Sequence, residues 1–152
     1  MNNKGFTLIE LLATLLLISI LTTVTTVTII SVINKSKDNS YEILKKDIRI
    51  GAETYFQECE NKNITGNTSD IECNISSNSL NFTIGNLLNY GYLKSGSKDS
   101  SDNKIVENPK TNKSLNDCAY IIKKVVDSNY AVTYEIIQSN GNSSECISGS
   151  DL

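Results

Sequence analysis

Met1-Asn2-Asn3-Lys4-Gly5-Phe6-Thr7-Leu8-Ile9-Glu10 opens the chain, and the 23 residues from Leu11 to Ile33 follow without one ionisable side chain. A helix rises about 1.5 Å per residue, so this run reaches roughly 34 Å, enough to cross a bilayer core about 30 Å thick. It is Leu-rich early (Leu11, Leu12, Leu15, Leu16, Leu17) and Thr-rich late (Thr22, Thr23, Thr25, Thr26, Thr28). Threonine is a weak helix former in water. In lipid its hydroxyl can bond back to a helix carbonyl, so a span is not forbidden. A cleaved secretory signal predicts a shorter apolar core, about 7 to 15 residues, and a small-residue site after it. Here the run ends in Asn34-Lys35-Ser36-Lys37-Asp38. Glu10 is the anomaly. A carboxylate at the edge of a span is costly without a partner and reads as functional. An α-amino group newly made near Phe6 would be a cation of the right sign at the right depth.

Composition narrows the classes outside this segment. The chain has 152 residues, 14 Lys and Arg, 17 Asp and Glu, and a net charge of -3. That balance offers no electrostatic case for holding a polyanion, so no specific nucleic acid is expected as a partner. There is no histidine, which excludes Ser-His triads, histidine general bases and His-ligated metal sites. Glu135 and Asp117 are available carboxylates, but no nucleophile, base and orienter accompany them, so an enzyme is not expected. No cofactor is called for.

Gly5-Phe6-Thr7-Leu8-Ile9-Glu10, behind a short polar leader with Lys4 and ahead of an apolar helix, resembles the class III signal of type IV prepilins and pseudopilins. The resemblance implies that a membrane aspartyl prepilin peptidase cuts between Gly5 and Phe6 and that Phe6 is then N-methylated. It implies that Glu10 neutralises the Phe6 amine of a neighbouring subunit during filament assembly. It also implies a single-pass precursor in the cytoplasmic membrane, then an extracellular filament built with other pilin subunits. One departure is visible. Many pilins carry a Pro and a nearby Gly late in the apolar segment, whereas residues 22–28 here have neither, so a proline kink is absent.

Past the span, Tyr41, Leu44, Ile48, Ala52, Tyr55 and Cys59 recur at three- and four-residue steps, which predicts that the helix continues with one apolar stripe. Thr7 to Cys59 as one helix would be about 80 Å long. A break, if there were one, would fall at residues 34–40 or at Gly51. Residues 61–79 and 95–104 read as polar loops, and residues 80–93 as a segment holding one short helix. Ile105-Val106 reads as a short strand. Residues 119–126 and 130–137 are the clearest strands, the second alternating Tyr130, Val132, Tyr134, Ile136 against Ala131, Thr133, Glu135, Ile137. Asp127-Ser128-Asn129 would join them as a tight hairpin. The expected fold is α+β, a long N-terminal helix packed on an antiparallel sheet of three or four strands. The expected divisions are a leader at 1–5, a membrane or filament-core helix at 6–33, its amphipathic continuation at 34–59, and a globular head at 60–152.

All the basic residues but Lys4 and all the acidic residues but Glu10 lie in the polar part, which has few large apolar side chains for its length. A thin core calls for staples. Cys59, Cys73, Cys118 and Cys146 are all there, and an even count in an exported domain reads as two disulfides with three possible connectivities. Cys59–Cys73 is favoured because it ties the helix end to the following loop. Cys118–Cys146 is then left, and it resembles the C-terminal disulfide loop of many pilins. Zinc is the poorer reading, with no Cys-x-x-Cys and no His, so no metal is expected. The resulting expectation is a structural subunit of a type IV pilus-like filament, a minor pilin. The alternatives are a pseudopilin of a type II secretion or DNA-uptake apparatus, and a membrane-anchored surface binding module with a possible role in adhesion.

Overall fold

The computed structural model describes residues 7–65, 73, 75–139 and 145–152. It forms two compact units, Met1–Asn39 and Ser40–Leu152. Helix α1 (Leu8–Thr65) makes up the described part of the first unit and enters the second. It runs without interruption through residues 34–40 and through Gly51, and it passes Cys59 by six residues. The second unit continues with β1 (Ile75–Ser76), β2 (Ser79–Thr83), α2 (Ile84–Asn89), β3 (Ser97–Lys98), β4 (Lys104–Ile105), β5 (Ala119–Val126), β6 (Val132–Gln138) and a short 3-10 helix, Gly149–Asp151. The main sheet has the order β1-β2-β5-β6, antiparallel throughout, and β3 pairs with β4 in a small separate ribbon. The fold is α+β and pilin-like.

The expected helix stripe forms the floor of the core. Ile48, Ala52, Tyr55, Phe56 and Cys59 are buried, with Tyr41 and Leu44 packed at the margin. Against them lie the inward rows of the sheet. Leu80 pairs with Ile122 and Ile122 with Ile136, while Phe82 pairs with Tyr120. Phe82 and Tyr120 stack with ring centres 5.7 Å apart, and Phe56 meets Tyr134 edge-on at 5.6 Å. Fully burying a large apolar side chain contributes about 1.5–3 kcal/mol, so this small set carries most of the head's cohesion. Gly51 is helical and buried because the chain passes so close. A Cβ there would stand 3.0 Å from the Tyr92 carbonyl oxygen. That proximity offsets the cost of about 1 kcal/mol that a glycine brings to a helix interior.

Several sequence expectations change. Ile75–Ser76 and Ser97–Lys98, inside segments read as loops, form β1 and β3, and the short strand expected at 105–106 lies at Lys104–Ile105. Residues 79–83, read as the end of a loop and the start of a segment with one short helix, form β2, which lies inside the sheet between β1 and β5. Thr83 then caps α2: its hydroxyl accepts from the Asn86 amide at 3.0 Å while the Asn86 side-chain oxygen accepts from the Thr83 amide at 3.0 Å. The last strand begins at Val132, not at residue 130. Asp127 accounts for the difference, because its Oδ1 accepts from the amides of Asn129 and Ala131, each at 2.8 Å, and so draws both residues into the turn.

β6 is an edge strand, and residues 145–152 lie along part of it. The segment is held by Cys118–Cys146, by the Tyr120 hydroxyl donating to the Ile147 carbonyl at 2.9 Å, and by Arg49. Arg49 donates from Nη1 to the Leu152 carbonyl at 2.7 Å and from Nη2 to the Tyr134 carbonyl at 3.0 Å. Burial pushes the Tyr120 phenol up to about 12, so it remains a neutral donor across the physiological range. Gly149 touches the strand most closely. A Cβ there would stand 2.6 Å from the Gln138 amide nitrogen and 2.8 Å from the Ile136 carbonyl oxygen. Gly149→Ala should therefore lower stability by about 1–3 kcal/mol, the usual cost of forcing a methyl into a packed site. Gly96→Ala, where an added Cβ meets nothing within 4 Å, should change little. Urea denaturation of the full chain in detergent, followed by tyrosine near-ultraviolet dichroism, measures both. Equal midpoints would show that the segment does not rest on the strand edge.

Candidate functional site

The first turn of α1 carries the only anomalous charge of the apolar segment. Thr7 precedes the helix and Glu10 is its third residue, the spacing of a capping box. Both halves of the box are present. The Glu10 amide donates to Thr7 Oγ1 at 3.4 Å, and the Thr7 amide donates to Glu10 Oε2 at 3.0 Å. The Thr7 hydroxyl also donates to Oε2 at 3.0 Å. Helix N-termini leave backbone N–H groups without intrahelical partners, and an unpartnered N–H is costly in hydrocarbon. The carboxylate therefore has local work to do at the helix start. Among the described residues Oε1 accepts nothing, so one carboxylate oxygen caps the helix and the other remains available.

Behind the cap, the described large apolar side chains from Leu8 to Ile30 are all more than half exposed. The helix is long and apolar enough, by length and composition, to cross a membrane. Four of its described hydroxyl side chains bond back to the helix. Thr14 donates to the Leu11 carbonyl at 2.9 Å, Ser19 to Leu16 at 2.8 Å, Thr22 to Ile18 at 2.9 Å and Thr23 to Ile20 at 2.8 Å. Back-bonding of this kind lets a Thr-rich helix enter lipid without stranded hydroxyls.

The other sequence candidates fall elsewhere. Gly5 and Phe6 lie outside the described residues. The four cysteines form two bonds in the head, Cys59–Cys73 with Cα atoms 5.3 Å apart and Cys118–Cys146 with Cα atoms 5.7 Å apart. Glu135 is exposed on the sheet, paired across the strands with Lys123. Among the described residues, no three His, Cys, Asp or Glu side chains are grouped to hold a metal ion. Thr7 is the functional residue that the sequence reading passed over. Its signal was present, since Thr7-Leu8-Ile9-Glu10 ahead of an apolar run spells the capping box.

The family model described as the prokaryotic N-terminal methylation motif matches residues 1–26. The chain carries the class III signal peptide of type IV pilins. Comparison with curated proteins and with solved structures returns no match. The motif covers the short leader, the capping box and the first half of the apolar helix, so the support for a pilin-like or pseudopilin precursor rests on this segment. An apolar helix beginning at the motif fits a membrane-anchored precursor. Pilin-type proteins are structural, and the motif implies assembly with other pilins.

The cap itself can be tested. Thr7→Val keeps the shape but removes the acceptor for the Glu10 amide and the hydroxyl donor to its carboxylate. Losing such a cap typically costs about 1 kcal/mol, so hydrogen exchange at the Glu10 amide in micelles should rise about fivefold. Exchange unchanged from wild type would mean that the Thr7 side chain does not cap the helix.

Proposed function

We propose that the chain is a structural subunit of a type IV pilus-like filament, a minor pilin. It enters the cytoplasmic membrane through the apolar part of α1. Prepilin peptidase cuts it between Gly5 and Phe6 and N-methylates Phe6, and the mature chain joins other pilin subunits on the cell surface. The observation that carries this reading is a single carboxylate, Glu10, inside a methylation motif and at the start of a helical stretch that has no other charged residue up to Ile33.

The physics of assembly follows from that placement. Lipid tails are as apolar as leucine, so moving the helix from bilayer to a core of packed helices brings little hydrophobic gain. Selectivity must come from packing and from polar pairs. Glu10 Oε2 is engaged by Thr7, which fixes the carboxylate at the helix start. Oε1 can then accept from the Phe6 ammonium group of a neighbouring subunit. A cation and an anion at that depth stabilise each other far more than either is stabilised by lipid, so the pair sets the axial register. The loop-rich head with two disulfides favours a minor subunit, because a major subunit must tile identically many times.

Two outcomes are expected. Mature protein read by mass spectrometry begins at N-methyl-Phe6, and Gly5→Leu leaves full-length precursor in the membrane. Glu10→Ala still inserts, because the hydrophobic run suffices, but its incorporation into sheared filaments falls by about tenfold or more as the neighbouring amine is stranded. Incorporation has to be followed by labelling this chain, since filament number need not change. Equal incorporation of Glu10→Ala and wild type would favour the membrane-anchored binding module instead.

A further inference from the structure

The turn between β5 and β6 presents an aromatic side chain to solvent. Tyr130 is 89% exposed and sits at φ 62°, a left-handed conformation that a bulky residue adopts only when its surroundings impose it. Asp127 imposes it, through the two amides its carboxylate accepts and through a further bond from the Tyr130 amide to the Asp127 carbonyl at 3.1 Å. Val126 and Val132, the last rung of the hairpin, are half-exposed beside it. The head thus carries an apolar tip with one tyrosine at its apex and one carboxylate at its base. Large, rigid aromatics of this kind are the usual anchors of protein interfaces.

A complementary groove lies on the same unit. Leu44, Ile50 and Leu93 line an open hollow of about 330 Å³ whose polar members include Asp47 and Lys94. Ile50 is 61% exposed, although it lies in a helix whose other face is buried in the core. Among the described residues neither Asp47 nor Lys94 has an ion-pair partner. The tip cannot reach this groove on its own molecule. Lys124 Nζ bonds Glu60 Oε1 at 2.7 Å, which fixes the hairpin end beside the far part of α1. The thirteen residues from Asp47 to Glu60 place tip and groove roughly 20 Å apart along the helix.

We propose that the groove receives the hairpin tip of a second copy of this chain. Tyr130 enters between Ile50 and Leu93, its hydroxyl donates to the Asp47 carboxylate, and Asp127 meets Lys94. Charge complementarity selects the occupant: the tip brings a phenol donor and an anion, and the groove offers an acceptor and a cation. The two patches are different surfaces of one head, so the contact is head-to-tail and joins this minor subunit to a second copy of itself where two lie adjacent in the filament. The inference deepens the filament reading and rests on it for the axial arrangement.

Photoreactive benzoylphenylalanine at position 130 of the full-length chain tests the contact, both in the membrane fraction and in sheared filaments. Illumination should give a cross-linked pair of this chain whose joined peptides include residues 44–50 or 92–94. Ile50→Arg, an exposed change that spares the core, should cut the yield by about tenfold or more, as truncating an interface anchor does. Ile137→Arg, exposed on the outer face of the sheet, should leave it unchanged. Cross-links to another protein, to other parts of this chain, or none in filaments shown to contain the chain would overturn the contact while leaving the filament reading intact. The expected cross-link in membranes, with no incorporation into filaments, would keep the contact and overturn the filament reading. No adduct in either fraction would overturn the contact.

Discussion

One stripe of one helix holds the head together. Ile48, Ala52, Tyr55, Phe56 and Cys59 recur on one side of α1 and join one core with the sheet, while Gly51 and Tyr55 meet the segment after α2 at Tyr90, Tyr92 and Leu93. Leu80, Tyr120, Ile122 and Ile136 come from three different strands to meet them. The sheet has little else to lie on, because its outer face carries polar and half-exposed residues such as Asn81, Lys123 and Glu135. The strands hold one another by backbone pairing, and α1 covers the inner face of the main sheet. The two disulfides add to this cohesion. One ties the helix near its end to residue 73, and the other ties β5's entry to Cys146.

The same helix obeys a different constraint near its start. The described large apolar side chains between Leu8 and Ile30 are all more than half exposed and require an apolar solvent or other helices. A helix in such a medium must satisfy its own backbone and hydroxyl groups, and here Thr7, Thr14, Ser19, Thr22 and Thr23 all bond to its backbone. Glu10 is then less paradoxical than its position suggests. The carboxylate belongs to the helix as a cap and is available to a neighbour as a charge. One residue can serve both roles because its two oxygens point to different tasks.

The stripe, the β5–β6 pair and the signal at residues 5–10 were legible because each repeats a strong local pattern. β2 was not, since Ser79-Leu80-Asn81-Phe82-Thr83 has only two apolar residues and its polar members look like loop. What makes it a strand is the register with β5, Leu80 against Ile122 and Phe82 against Tyr120, which is a non-local fact. Phe56 was passed over for a related reason. It lies one residue from the Tyr55 position of the stripe and is buried because the sheet is wide enough to cover both, reaching Tyr134. The start of β6 was misplaced because Tyr130 continues the alternation on paper, while the Asp127 side chain breaks it in space. The Thr7 cap was readable in principle, but the unusual depth of Glu10 drew attention away from its spacing.

The segment lying along β6 has a consequence for biosynthesis. The strand is complete once Gln138 has been made, but Cys146, Ile147 and Gly149 come later in the chain. Until that segment docks, the part of the β6 edge that it lies along offers unpaired backbone groups to any other strand nearby. Closing Cys118–Cys146 removes two electrons and two protons and so needs an oxidant, and it takes seconds to hours depending on that oxidant. Young heads are therefore sticky in a way that finished heads are not. Their yield depends on how quickly Cys118–Cys146 is oxidised to hold the segment in place.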